Sequence, residues 1–271
     1  MEPDLKNVER FHRGLSNLLQ VNRVSFRPLV EGCLNPTLRE RHLTYSYQRA
    51  AINTEQLVTI TNSQQFQAMT MIARSTLEVA IEMGMINREP NASERIEAYN
   101  NIEKLKAATK IVTYADEHPD AKIHSATYRK FVIEKGAAIR AEHDRLWPGV
   151  KMSKMQHWTL MSISDRAKEL GVIFHQLYQA NYSELSWFIH GGTTGVMNMT
   201  GEAAAQLAGM CYKLTADCFA EILEIVIKEF RLDFADDIIR KRILHARWEP
   251  FTDSPEEKAG LLREMGVEMK Q

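Results

Sequence analysis

The stretch that decides the fold covers residues 200–231 and reads TGEAAAQLAGMCYKLTADCFAEILEIVIKEFR. Its apolar residues recur every three or four positions, which is the spacing of one face of an α-helix. Thr200 is a favourable N-cap residue, so the stretch predicts the longest and most apolar helix of the chain. Small residues near its start would let neighbouring helices approach closely: Ala203, Ala204, Ala205, Ala208 and Gly209.

Helical spacing also dominates the rest of the chain, and no alternating strand pattern bounded by turn residues interrupts it. The sequence therefore predicts an all-α multi-helix bundle with a long central helix near the C-terminal end. The further helices are predicted over residues 5–19, 35–60, 64–86, 93–117, 121–146, 164–178, 182–190 and 233–248. Without a repeat or a flexible linker, we expect one domain over residues 1–249 and a short peripheral helix or tail over 250–271.

Composition places the chain among soluble globular proteins. Of its 271 residues, 44% are hydrophobic and 25% charged, which excludes disorder, collagen-like structure and a dense disulfide scaffold. The formal net charge of -1 provides no global field that would attract nucleic acid or an anionic membrane. No signal peptide and no membrane span are predicted, so the expected location is the cytoplasm.

The polar residues that best indicate a site are Tyr182, Ser186 and His190. Their spacing of four places all three on one face of a helix that is otherwise apolar. The favoured interpretation is a polar seam that fixes helix register, because buried polar side chains must find hydrogen-bond partners. The alternative is an acid/base or ligand-binding cluster around His190, since an imidazole titrates near neutral pH.

A second polar pair, Arg74 and Glu78, lies within an apolar helix, and its spacing of four allows a salt bridge. If the pair is buried, it needs further hydrogen bonds to offset desolvation, and the helix of Tyr182 could supply them. The alternative is an exposed salt bridge, which contributes little to stability.

These residues belong to a longer pattern, which comprises Arg74-Ser75-x-x-Glu78, Trp158, Ser162-Ile163, Ala167, Gly171 and Tyr182-x-x-x-Ser186-x-x-x-His190-Gly191. Over about residues 60–195 it resembles a widespread, mostly prokaryotic family of helical proteins of unknown function. In outline that family also resembles the HEPN class of helical domains, many of which are RNA-cleaving toxins or nucleotide-binding partners. HEPN nucleases usually carry an arginine followed four to six residues later by a histidine.

Other chemistries lack their motifs. Neither a metal site nor a cofactor is predicted, because the chain has no Cys-x-x-Cys, P-loop or GxGxxG pattern. The glycine-rich stretch 191–195 is interpreted as a turn between helices rather than a phosphate loop. A basic run lies near the C-terminal end: Arg240, Lys241, Arg242, His245 and Arg247. We favour its interpretation as a solvated helix face over binding to a phosphate backbone.

Arg74, Glu78, Tyr182, Ser186 and His190 are together expected to meet in one buried or half-buried polar cluster. The first hypothesis is a non-enzymatic helical module, forming a homo-oligomer, in which the cluster is structural or holds a small molecule. The second is a defence-type nuclease or hydrolase acting on a substrate such as RNA. In that case His190 is the acid/base, Arg74 stabilises anionic charge, and Tyr182 and Ser186 orient the substrate.

Overall fold

The computed structural model describes residues 5–33, 36–121, 123–190, 199–232, 236–251 and 256. Throughout these residues every regular element is a helix and no strand occurs, which confirms the predicted all-α class. The helices are α1 (Leu5–Val21), α2 (Arg27–Glu31), α3 (Leu38–Thr59), α4 (Phe66–Arg88), α5 (Ala92–Glu117), α6 (Ala126–Leu146), α7 (Ile163–Glu169), α8 (Val172–His190), α9 (Gly201–Glu229) and α10 (Asp236–Trp248).

The chain divides into two compact units, one formed by Met1–Arg88 with Arg166–Gln271 and the other by Glu89–Asp165. The prediction of one domain over residues 1–249 with a tail over 250–271 stays a prediction. The glycine-rich stretch 191–195 lies outside the described residues, as does most of the tail.

The first unit is built around α9, which packs against α1, α3 and α4. The helix begins as predicted, because the Thr200 hydroxyl accepts a hydrogen bond from the backbone N–H of Ala203 at 3.1 Å. Close packing is confirmed at Gly209, where an added Cβ would lie 3.2 Å from a methyl group of Val8 on α1. Most of α9 is buried, so it forms the core of this unit.

The start of α3 differs from the prediction, which began this helix at residue 35. Pro36 precedes the helix, and Thr37 is the N-cap of a helix that begins at Leu38. Thr37 and Glu40 form a capping box, in which each side chain binds the backbone N–H of the other residue. The reciprocal pair satisfies two backbone N–H donors at the start of the helix.

The boundary between α7 and α8 also differs from the prediction. The sequence placed the break after Tyr178, whereas the structure places it at Gly171, with a φ of +101° that favours glycine. One continuous helix, α8, therefore carries both Tyr178 and Tyr182. This continuity aligns the two rings along one side of the helix.

The second unit consists of the antiparallel helices α5 and α6 followed by an irregular segment. The predicted start of α6 was residue 121, but the helix starts at Ala126. Trp158 is 2% exposed, so its side chain is buried. Its carbonyl accepts a hydrogen bond of 3.1 Å from the indole of Trp147.

None of the helices in the described part of the chain combines the length and apolarity needed to cross a membrane.

Candidate functional site

The candidate site lies where α8 packs against α4 in the first unit. Phe66 at the start of α4 contacts Phe188 near the end of α8, with ring centroids 6.1 Å apart. Farther along, Arg74 meets Tyr182, so the two helices run antiparallel. Leu185 of α8 is fully buried, which anchors the apolar part of the contact.

Three of the predicted residues form a hydrogen-bonded triangle, here called the Arg74 cluster: Arg74, Glu78 and Tyr182. The Arg74 guanidinium donates to Glu78 Oε1 at 2.9 Å and to the Tyr182 hydroxyl at 2.8 Å. The Tyr182 hydroxyl in turn donates to Glu78 Oε1 at 3.2 Å. The guanidinium carbon also lies 4.7 Å from the centroid of the Tyr182 ring, within range of a cation–π interaction.

The Arg74 cluster is half-buried. The side chain of Arg74 is 20% exposed and that of Glu78 is 38% exposed. On α8, the ring of Tyr178 stacks on Tyr182, with centroids 4.7 Å apart. The cluster therefore has an open edge along Glu78, and its closed side is formed by aromatic rings.

The surroundings fix the protonation states of Tyr182 and Arg74 at neutral pH. Burial raises the pKa of the Tyr182 hydroxyl, and the charge of Glu78 raises it further, so Tyr182 remains a hydrogen-bond donor. Burial lowers the pKa of Arg74, but Glu78 and Tyr182 outweigh that effect and raise it above its ordinary value. Arg74 is therefore a permanent cation.

A neighbouring ion pair extends the polar row by one helical turn. Glu82 follows Glu78 by four residues on α4, and its carboxylate accepts a hydrogen bond of 3.0 Å from Arg166 of α7. The Arg166 side chain is 12% exposed. The sequence does not reveal this pair, because no local pattern shows that α7 packs beside α4. The only sequence signal is that Glu82 continues the four-residue spacing of Arg74 and Glu78.

Of the other two predicted residues, Ser186 bonds within its own helix, and His190 lies farther along the same helix. The Ser186 hydroxyl donates to the backbone carbonyl of Tyr182 at 2.6 Å, a bond within its own helix. His190 ends α8, eight residues beyond Tyr182, which is about 12 Å along the helix axis. The side chain of His190 lies outside the described residues.

Sequence reasoning also missed Arg240 and His245, which have the five-residue spacing of the arginine–histidine motif of HEPN nucleases. Both lie on α10, and Arg240 donates to Glu224 of α9 at 2.9 Å. The five-residue spacing is the sequence signal for this pair, although both residues also belong to the basic run of α10.

Within the part of the chain that the structure describes, no group of three or more His, Cys, Asp or Glu side chains could hold a metal ion. The chemistry available at the Arg74 cluster is that of a fixed cation, a carboxylate and a phenol. These groups can orient a ligand through charge-assisted hydrogen bonds.

The fold and site thus define an all-α protein with a half-buried Arg–Glu–Tyr network between two antiparallel helices. The chain belongs to a family of unknown function, DUF5677, whose sequence profile matches residues 41–205. That match includes all three residues of the Arg74 cluster and confirms the predicted membership of an uncharacterised family. No curated protein and no solved structure matches the chain.

Proposed function

We propose that this protein is a non-catalytic binding module in which the Arg74 cluster receives a small polar molecule. The observation that carries the proposal is the partial exposure of a preorganised network. A seam that only fixes helix register would be sealed, whereas the Glu78 side chain is 38% exposed.

The hydrogen bonds of the cluster favour binding over catalysis. Arg74, Glu78 and Tyr182 hold one another, so each side chain is fixed before a ligand arrives, and less conformational entropy is lost on binding. The exposed carboxylate of Glu78 can accept hydrogen bonds, so the ligand carries donor groups such as amino or hydroxyl groups. The Tyr178 ring adds an apolar surface beside them.

Ligand-observed NMR tests this proposal with a panel of nucleosides, nucleotides and polar amines. The variants are Glu78→Gln and Tyr182→Phe, with Glu31→Gln as the matched control, because Glu31 forms an exposed pair with Arg27 at the same spacing. We expect at least one ligand to bind wild type and Glu31→Gln, and to bind both cluster variants at least tenfold more weakly. If no compound in the panel binds, or if all four proteins bind equally, the cluster is structural.

The second candidate is an HEPN-like nuclease, and the spacing of Arg240 and His245 favours it. Two general acid/base residues are then possible, His245 of this pair and His190, which the sequence singled out first. Single-stranded RNA incubated with wild type, His190→Gln and His245→Gln distinguishes them. Loss of cleavage in one variant identifies the acid/base, whereas intact RNA with wild type rejects the nuclease.

A cytoplasmic location and a homo-oligomeric state are part of the proposal. Size-exclusion chromatography with light scattering tests the oligomer directly. A single species with the mass of one chain at all concentrations would reject it.

A further inference from the structure

A cleft of about 450 Å³ lies in the first unit, lined by residues of α8, α9 and α10. Its volume is within the usual range for small-molecule sites. Ile173 lines it and lies nine residues before Tyr182, which is about 180° around α8, so the cleft and the Arg74 cluster occupy opposite faces of this helix. Apolar side chains form much of the wall: Ile173, Leu177, Ala180, Met210 and Leu214.

Four charged side chains also line the cleft, beside the amides of Gln176 and Asn181: Lys213, Asp217 and Glu221 of α9, and Arg247 at the end of α10. Lys213 donates to Asp217 at 2.7 Å, and Arg247 donates to the other carboxylate oxygen of Asp217. The Asp217 side chain is 9% exposed. Asp217 is therefore buried and holds both cations at the cleft.

Three of these charged groups have hydrogen-bonding capacity available at the cleft. Glu221 is half-buried and accepts no hydrogen bond from any other described residue. Among the described residues Arg247 uses one of its five N–H donors, on Asp217, and the Lys213 side chain is 51% exposed. Burial raises the pKa of Glu221 while Arg247 lowers it, as expected for a desolvated carboxylate close to a guanidinium. The cleft thus offers one acceptor and two cationic donors beside an apolar wall.

We propose that this cleft binds a free α-amino acid with an apolar side chain. The ammonium group of the ligand binds Glu221, its carboxylate binds Arg247 and Lys213, and its side chain lies against the apolar wall of α8 and α9. Two cations and two anions line the cleft, so a zwitterion preserves the charge balance. A simple carboxylate would leave Glu221 without a donor, and a simple amine would leave Arg247 without an acceptor.

Isothermal titration calorimetry on the full chain tests each contact with three related probes: L-leucine, N-acetyl-L-leucine and L-leucinamide. The first has both charges, the second lacks the ammonium and the third lacks the carboxylate. We expect leucine to bind with a Kd below about 1 mM, and each analogue to bind at least tenfold more weakly, because each loses a charge-assisted hydrogen bond.

Two variants locate the binding site. Glu221→Gln is close to isosteric, and it should weaken leucine binding at least tenfold while leaving N-acetyl-L-leucine unchanged. Ala180→Leu places a larger side chain in the cleft and should abolish binding of all three probes. Glu31→Gln, on the exposed surface of α2, is the control and should bind leucine like wild type.

The proposal is overturned if leucine does not saturate the wild-type protein, or if Glu221→Gln binds leucine and N-acetyl-L-leucine in the wild-type ratio. Circular dichroism of each variant separates loss of binding from loss of folding. Glu221→Gln provides the decisive result if Ala180→Leu fails to fold.

Discussion

Two Arg–Glu pairs with the same spacing on the helix have different surroundings. Arg27 and Glu31 are joined at 2.8 Å, and Arg74 and Glu78 at 2.9 Å. The side chains of the first pair are 56% and 49% exposed, whereas those of the second are 20% and 38% exposed. The difference is Tyr182, which reaches the second pair from a helix more than 100 positions later in the chain. The same local signal therefore gives either a weak surface pair or a preorganised site.

A third pair, Lys213 and Asp217, extends the comparison. It has the same spacing and is closed by Arg247, 30 residues beyond Asp217. In both the Arg74–Glu78 and the Lys213–Asp217 pair, a third side chain from another helix bonds to the pair. We expect the stability of each network to depend more on that third group than on the local pair.

The largest expected effect is that of Asp217→Ala. It leaves the Arg247 guanidinium, whose side chain is 23% exposed, without its carboxylate, and we expect a loss of about 2–3 kcal/mol of unfolding free energy. Urea denaturation measures this loss. Glu31→Ala is the control and should change stability by less than about 0.5 kcal/mol. Equal effects of the two substitutions would show that burial does not distinguish the pairs.

Tyr182→Phe should have the next largest effect. It removes the hydroxyl that accepts from Arg74 and donates to Glu78, so we expect a loss of about 1–2 kcal/mol in urea denaturation. Tyr178→Phe is the matched control, since its ring stacks on Tyr182 but its hydroxyl has no hydrogen bond within the described residues. A larger loss for Tyr178→Phe would contradict the hydrogen-bond triangle.

Double-mutant cycles compare the two arginine pairs directly. We expect a coupling energy of about 1 kcal/mol between Arg74 and Glu78, and about 0.3–0.5 kcal/mol between Arg27 and Glu31. In Tyr182→Phe the first coupling should fall towards the second, because the pair then lacks its third member. Each cycle uses alanine substitutions and thermal or urea unfolding. An unchanged Arg74–Glu78 coupling in that background would show that Tyr182 does not strengthen the pair.

The smallest expected effect is a change in the pH dependence of stability. Burial raises the pKa of Glu221, so folding is favoured while this carboxyl is protonated. The stabilisation is present below its unfolded pKa of about 4.3 and is lost as the pH rises through the raised value. Because Gln stays neutral, Glu221→Gln should gain stability relative to wild type as the pH rises across this window. Urea denaturation at several pH values measures the difference, and a constant difference would refute the assignment.

The helices could be predicted from sequence because their signals are local. The spacing of apolar residues located α4 and α9, and Thr200 marked the start of α9. Predictions of helix starts failed where two local signals competed. Pro36 precedes the capping residue Thr37, and Gly171, with its positive φ, separates α7 from α8. Proline and glycine mark a break in a helix without fixing which neighbouring residue begins the next one.

The candidate site was predicted in part for the same reason. Arg74 and Glu78 were recognised by their spacing, and Tyr182 by its position on an apolar helix. The hydroxyl of Ser186, by contrast, binds its own helix, an alternative that equal spacing cannot reveal. The pair of Arg166 and Glu82 and the charged lining of the cleft depend on which helices are neighbours.

The sequence by itself determined the all-α class, most helix positions and the local pairs spaced four residues apart, because helical periodicity and side-chain spacing act within one or two turns. Only the tertiary structure decided which of these pairs acquires a third partner and which stays in solvent. The Arg74 hydrogen bond to Tyr182 spans 108 positions, and its existence depends on the antiparallel register of α4 and α8. Register is set by the packing of whole helix faces, to which many residues contribute and which no short stretch of sequence encodes.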